Sequence, residues 1–359
     1  MLKIGSYTLK SKLILAPLSG CTDLPFRTIC RAHDCKFAFY EMLDAHGLTY
    51  GHKKTLEMLE SDKKDSPIGA QILGSDPDRC LEAANIILAH SKPKIIDLNF
   101  ACPAKKVLKK KCGSALLENP KQAGKIVKKL SSSLHLPVTV KVRAGYNTND
   151  GKEGILLSRI CEDNGVSAVF FHGRSMRQGY SGRVNYEAIK QAKEALKVPL
   201  LGSGDVFSAE LAKNMLDKTG CDGVLIARGA FGAPWIFDQT EMFLKNPSSP
   251  PEPVSYEMIV DTAKKHLQIF KGWKDRDKRH QHPIPANKCQ SKNKGSVSSG
   301  PAPEKYYIGH LRKVAMWYSK GLPYSKRARE AISSANSFNE IIEILDRLKN
   351  DYDIKWLKR

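Results

Sequence analysis

The stretch Ile95-Ile96-Asp97-Leu98-Asn99-Phe100-Ala101-Cys102-Pro103 joins a short apolar run to an amide, a thiol and a proline. Such an abrupt end to a strand is a place where chemistry can be done. Lys105, Lys106, Lys109, Lys110 and Lys111 follow, and then Gly113-Ser114-Ala115-Leu116, so the thiol of Cys102 lies in strongly positive surroundings. That setting suits a substrate carrying phosphates. A second group of candidates is cationic: Lys141 and Arg143 alternate with Val140 and Val142, which places both on one face of a strand. His172 and Arg174 close another apolar run. A third group is glycine-rich, in Gly202-Ser203-Gly204-Asp205 and Ala227-Arg228-Gly229. Such turns expose backbone N–H groups to an anion, and Arg228 adds a charge-assisted clamp.

These residues sit at the ends of recurring apolar, β-branched runs at 13–16, 37–40, 68–73, 95–99, 138–142, 168–172, 200–202 and 223–226. Between most of them lie segments with helical spacing, at 76–90, 119–130, 151–164, 186–196 and 208–216, several opened by a capping residue. Eight strand–helix units predict an α/β chain folded as a (β/α)8 TIM barrel, with its active site at the C-terminal strand ends. A doubly wound open sheet would carry its Gly-rich phosphate loop after the first strand, whereas the Gly-rich turns here come late. Loops after strands seven and eight of a barrel commonly hold a phosphate. A phosphate there, with backbone amides and Lys141 across the mouth, is the arrangement expected for flavin mononucleotide (FMN).

The proline-stiffened segment 246–253 marks a boundary after a barrel spanning residues 1–245. Residues 254–359 follow helical periods only, at about 256–273, 304–319 and 337–348, and predict a small all-helical domain. Residues 274–303 are rich in charge, Pro, Ser and Gly, and read as a mobile loop.

With 58 Lys and Arg against 37 Asp and Glu, the net charge is +21, a field that attracts polyanions. Nucleic acid or another acidic surface is the expected partner. The N-terminus lacks the apolar core of a signal peptide, and no run of ~18 apolar residues could span a membrane, so a cytoplasmic protein without membrane partners is expected. Nine scattered cysteines without a CxxC pair argue against a disulfide framework and against a zinc site.

The chain resembles the dihydrouridine synthases, flavin-dependent enzymes that reduce a uridine of transfer RNA. The resemblance runs through Ala16-Pro17-Leu18-Ser19-Gly20-Cys21-Thr22-Asp23-Leu24-Pro25-Phe26-Arg27, Gln71-Ile72-Leu73-Gly74, Asp97 to Pro103, Val140-Lys141-Val142-Arg143, His172-Gly173-Arg174 and Pro234-Trp235-Ile236-Phe237. It continues into His310-Leu311-Arg312-Lys313 and Trp317 to Pro323, which are similar to the family's helical RNA-binding domain.

The resemblance implies that Cys102 is the general acid that protonates C5 of uracil while reduced flavin delivers hydride to C6; a thiol ordinarily keeps its proton near neutral pH. It further implies that Ala16, Pro17, Leu18, Gln71, Lys141 and His172 contact the flavin ring, and that Gly202, Ser203, Gly204, Asp205, Ala227, Arg228 and Gly229 surround its phosphate. Asn99, Arg143 and Arg174 would face the uracil or position the loop. Lys105, Lys106, Arg312 and Lys313 would meet the RNA. NADPH is the implied electron donor, no metal is implied, and a monomer is the default.

Three positions depart from the family pattern: Ala101 and Lys111 stand where glycine is usual, and Ser203 where asparagine is usual. The first two bear on the conformation of the thiol loop. Other readings stay open: a flavin barrel reducing a small molecule, an RNA-binding module with a vestigial barrel, or an aldolase forming a Schiff base through Lys141. The first has no use for the +21 charge, and the second would lack the flavin.

Overall fold

The computed structural model describes residues 1–276, 304–322 and 325–350. Among the described residues ten strands are present: β1 (Leu2–Ile4), β2 (Tyr7–Leu9), β3 (Leu13–Leu15), β4 (Ala38–Asp44), β5 (Ile68–Leu73), β6 (Ile96–Phe100), β7 (Val138–Gly145), β8 (Ala168–Ser175), β9 (Leu200–Ser203) and β10 (Gly223–Ile226). Strands β3 to β10 pair in parallel and in chain order, and β10 closes on β3. The chain is a TIM barrel followed by helices. Its eight apolar runs become the eight barrel strands because a parallel sheet covered by helices is buried on both faces.

The helices between them start where capping chemistry places them. Asp76 accepts from Arg79 N ahead of Pro77–His90, Asn119 from Gln122 N ahead of Pro120–Ser133, and Ser208 from Leu211 N ahead of Ala209–Thr219. Strands β4, β7 and β8 run three or four residues past their apolar stretches, so that Arg143, His172 and Arg174 project from the sheet itself.

The β1–β2 hairpin is antiparallel and separate from the barrel sheet. Leu2, Ile4 and Leu9 pack with Ile14, Phe37, Phe39, Phe170, Leu201 and Leu225 in one buried cluster. The barrel interior is therefore a packed core, and the space for chemistry is left at the C-terminal strand ends.

The chain divides between Glu252 and Pro253. The second unit contains the helices Tyr256–Asp275, Ile308–Tyr318, Ser325–Ser334 and Phe338–Asn350. Leu267, Phe270, Leu311, Val314, Tyr318, Ile332, Ile341 and Leu345 form its buried face. The sequence periodicity predicts three of these helices. It passes over Ser325–Ser334, which buries only Ala328 and Ile332 and so shows little apolar pattern. The first helix also runs two residues past Trp273, to Asp275. Most of the segment read as a mobile loop, residues 277–303, lies outside the described residues, as does Pro323.

Candidate active site

Parallel register gathers the polar strand residues into one belt. Asn99 of β6 pairs with Lys141 of β7, Arg143 of β7 with His172 of β8, and His172 with Ser203 of β9. A cavity of about 370 Å³ opens above this belt. Ala16, Pro17 and Leu18 form one wall, and Asn99 and Cys102 another. Lys141, Arg143, His172, Ser203, Gly204, Asp205, Ala227, Arg228 and Gly229 complete it.

The thiol loop is pinned on three sides. Asn99 Oδ1 accepts from the backbone N–H of Ala101 at 3.1 Å and of Cys102 at 2.9 Å. The carbonyl of Cys102 accepts from Ser114 N at 3.1 Å and Ser114 Oγ at 2.9 Å. Arg143 Nε donates to Ala101 O at 2.7 Å. Gly113 lies at φ +63°, and a Cβ there would come within 2.7 Å of Cys102 O, so only glycine lets the two segments approach. Ala101 is outside the left-handed region, and alanine stands there without strain, whereas Lys111 adopts φ +55°. Of the two departures in this loop, only the lysine meets a conformation that glycine would take at lower cost.

Charge in the cavity is arranged around Asp205. Its Oδ1 accepts from Arg174 Nη1 and Arg228 Nη2, both at 2.9 Å, and Oδ2 accepts a second, close contact from Arg174. Two guanidinium groups against one carboxylate leave a net positive charge at the cavity rim. The Arg228 guanidinium lies 4.5 Å from the centre of the Tyr180 ring. Burial, with Arg143 beside it, pushes the Lys141 ammonium down to about 8, partly offset by Asp97. Burial also holds the His172 imidazole well below its ordinary value, and Lys141, Arg143, Arg174 and Arg228 add to the effect, so the ring is neutral at pH 7. Its Nδ1 is buried and has no partner among the described residues.

The family model described as Dihydrouridine synthase (Dus) matches residues 14–299. The chain belongs to the dihydrouridine synthase family. It is 38% identical over 269 residues to tRNA-dihydrouridine synthase B of Vibrio vulnificus, covering 75% of this chain and 83% of that one. It is 33% identical to a probable tRNA-dihydrouridine synthase of Rickettsia bellii over 353 residues, 98% of each chain. Among solved structures, histamine dehydrogenase from Rhizobium sp. 4-9 superposes with a TM-score of 0.55 at 13% identity. That match covers 75% of this chain and half of that longer one, and it concerns the barrel fold. As a dihydrouridine synthase the protein is a flavin-dependent oxidoreductase.

In this dihydrouridine synthase most of the residues singled out from sequence meet at the cavity, and the exceptions have identifiable places. Gln71 is fully buried in the wall behind Asn99. A Cβ on Gly202 would point at Met215 and Cys221, so that position serves the contact between β9 and its helix. Arg174 is buried and acts through Asp205 and the carbonyls of Ser181 and Gly182. Lys105 and Lys106 are exposed on the short helix Lys105–Leu108 that follows the thiol loop. Arg312 and Lys313 belong to the second unit, where Arg312 Nε donates to Ala335 O at 2.7 Å.

Sequence reasoning passed over Tyr180, Phe207 and Met42, which also line the cavity. Tyr180 lies between Gly179 and Gly182, both with positive φ, and an aromatic residue in a glycine-rich loop after a barrel strand was the available signal. No His, Cys, Asp and Glu cluster able to hold a metal ion occurs among the described residues. None of their helices is long and apolar enough to cross a membrane.

Proposed function

We propose that this protein reduces the C5–C6 double bond of a uridine in transfer RNA, with FMN as the flavin, NADPH as the electron donor and Cys102 as the general acid. The observation that carries the proposal is Cys102, whose loop backbone is held by Asn99, Ser114 and Arg143 at the wall of a cavity that also presents Lys141, Arg143 and Arg228.

The residues present fit an FMN. The buried, partnerless Nδ1 of His172 asks for a polar group from a ligand. Gly204 lies at φ +125°, and a Cβ there would come within 2.7 Å of Val184 and 3.4 Å of His172 Nε2, so glycine lets this turn pass close to His172. Ala16, Pro17 and Leu18 offer an apolar surface for a flat ring, and Lys141 a cation for its electron-rich edge. Ser203, Gly204, Ala227, Arg228 and Gly229 would surround the phosphate, with Asp205 fixing Arg228 beside it and Gly202 behind them. A flavin bound there would supply, in its reduced form, the hydride for C6 of uracil.

The rest of the chemistry belongs to the chain. Cys102 Sγ holds a proton for C5, and its anchored backbone limits where that proton can be presented. Arg143, with Asn99 and Arg174 behind the loops, orients the base. A uridine stacked in RNA must be drawn out to reach such a cavity, at a cost of a few kcal/mol offset by phosphate contacts. Lys105 and Lys106, and Arg312 and Lys313 of the helical unit, are assigned to the RNA side. A cytoplasmic enzyme, where transfer RNA is abundant, is part of the proposal.

The test is to purify the protein, record its visible spectrum, and assay dihydrouridine in unmodified transfer RNA with NADPH for wild type and Cys102→Ala. A flavin spectrum with dihydrouridine formed by wild type, and a loss of at least about a hundredfold in the variant, supports the proposal. Flavin without dihydrouridine points to a small-molecule reductase. A colourless protein overturns the cofactor assignment.

A further inference from the structure

A continuous line of hydrogen bonds runs through the cavity wall to the thiol loop. Thr139 Oγ1 donates to Asp97 Oδ1 at 2.6 Å, and Gln71 Nε2 donates to Asp97 Oδ2 at 2.7 Å. Asn99 Nδ2 donates to Gln71 Oε1 at 2.7 Å, and Asn99 Oδ1 accepts from Ala101 N and Cys102 N. Three strands contribute: Gln71 from β5, Asp97 and Asn99 from β6, and Thr139 from β7. Thr139, Asp97 and Gln71 are fully buried and Asn99 nearly so, so each donor and acceptor must find its match inside the protein.

Two of the links are amides, and an amide can be turned end for end. What fixes the direction lies at the far end of the line. A carboxylate accepts and cannot donate. If Asp97 takes up a proton, the oxygen facing Thr139 can carry it, because a hydroxyl can turn to accept. The oxygen facing Gln71 remains an acceptor in both states. Gln71 must therefore present its NH2 to Asp97 and its oxygen to Asn99. Asn99 must then present its NH2 to Gln71 and its oxygen to the loop. Reversing Asn99 would set its NH2 against two backbone N–H donors.

Resting on the assignment of Cys102 as the acid, we infer that Asp97 is a positioning residue: its carboxyl oxygen facing Gln71, an acceptor in both protonation states, sets the direction of both amides and thereby holds the Cys102 loop in its proton-donating conformation. Asp97 touches neither the cavity nor the thiol. It acts through Gln71 and Asn99.

The inference makes a reversal testable. Asn99→Asp alone puts a carboxylate against Gln71 Oε1; turning Gln71 relieves that contact and creates the same conflict with an ionised Asp97, so the variants are compared at about pH 8.5. Adding Asp97→Asn resolves it. The new amide donates to Gln71 Oε1, Gln71 Nε2 donates to residue 99, and the loop N–H groups keep their acceptor. The line then runs in the opposite direction with each member matched.

The experiment measures the rate of iodoacetamide modification at Cys102, by peptide mass spectrometry on the purified flavin-loaded protein, for wild type, both single variants and the double variant. Alkylation needs neither transfer RNA nor NADPH, so its outcome is independent of the reaction assay. The expected result is alkylation roughly tenfold faster in Asn99→Asp, severalfold faster in Asp97→Asn, and within about threefold of wild type in the double variant. For Asp97→Asn, kcat for dihydrouridine falls severalfold while KM for transfer RNA stays unchanged.

Additive effects in the double variant, or wild-type alkylation in Asn99→Asp, overturn the inference. If Asn99→Asp does not fold, Gln71→Met supplies the second arm: with the link removed, Asp97→Asn must add nothing to the alkylation rate, and a full further effect overturns the inference. Reversal without dihydrouridine formation in wild type would leave the relay standing and sink the proposed reaction. Dihydrouridine formation with additive alkylation would do the opposite.

Discussion

Lys141 and Asp97 are buried near one another with opposite charges, and folding shifts each toward its neutral form. Burial raises the Asp97 carboxyl to about 7, against the hydrogen bonds from Thr139 and Gln71 and the attraction of Lys141. Burial lowers the Lys141 ammonium to about 8. The signs follow from proton counting. Between the ordinary carboxyl range and about 7 the folded chain binds the extra proton on Asp97, so stability falls as pH rises through that window. Between about 8 and the ordinary lysine range the unfolded chain binds the extra proton on Lys141, so stability rises with pH there. Asp97→Asn is expected to flatten the acid-side slope. Lys141→Met is expected to flatten the alkaline slope and to move the Asp97 window upward, because the carboxylate loses its attracting cation. Urea unfolding of the flavin-free protein from pH 5 to 10 measures both, and a slope unchanged in its own variant refutes that residue's assignment. If Lys141 faces the flavin as proposed, flavin affinity should weaken above about pH 8 in wild type and lose that dependence in Lys141→Met.

The loop from Cys102 to Ser114 is the element on which the proposed chemistry depends, and it carries one residue at odds with its backbone. Lys111 sits at φ +55° after the short helix Lys105–Leu108, where its N–H donates to Leu108 O at 2.8 Å. The left-handed conformation costs a residue with a Cβ about 1 kcal/mol relative to glycine, reduced by glycine's larger entropy when unfolded. Lys111→Gly is therefore expected to stabilise the protein by ~0.5–1 kcal/mol in urea unfolding and to leave the Cys102 alkylation rate unchanged. Gly113→Ala should do the reverse, since its Cβ would meet Cys102 O at 2.7 Å and Val107 at 2.8 Å. It should both destabilise the fold and disturb the thiol. What could be read of such elements from the sequence was whatever repeats locally. Apolar runs gave the eight barrel strands, and Asp76, Asn119 and Ser208 gave helix starts. Polar residues such as Glu41, Arg143 and Arg174 interrupt the apolar pattern, although the strands continue through them. The helix Ser325–Ser334 was hidden because only two of its residues face inward. The line from Thr139 to Asn99 was hidden for a different reason. Its members come from three strands, and only register brings them together, although Asp97 and Asn99 share a strand face by simple alternation.

Over the whole molecule the net charge of +21 is the property that the barrel's chemistry does not use. A protein that neutralises Z phosphates releases condensed cations, and its affinity for single- or double-stranded nucleic acid falls with salt at a slope of about −0.7Z to −0.9Z. With roughly six to ten such contacts, transfer RNA affinity should drop by about 10³- to 10⁵-fold between 50 and 200 mM salt. The structure separates the basic residues that can contribute from those already occupied. Lys105 and Lys106 are exposed beside the thiol loop and make no ion pair among those found in the described residues. Lys110 is paired with Asp44 at 3.1 Å. Arg312 spends its guanidinium on Ala335 O and Asn336 Oδ1, tying the helix Ile308–Tyr318 to the connection between Ser325–Ser334 and Phe338–Asn350. Lys105→Ala with Lys106→Ala should therefore weaken binding and reduce the magnitude of the salt slope by nearly 2, without altering thermal stability. Arg312→Ala should lower the stability of the helical unit and change the slope by less than 1. Binding isotherms at four salt concentrations, paired with thermal melts, read both effects. If the double lysine variant retains the wild-type slope, the basic face beside Cys102 is only a solvated surface, and the RNA lies elsewhere.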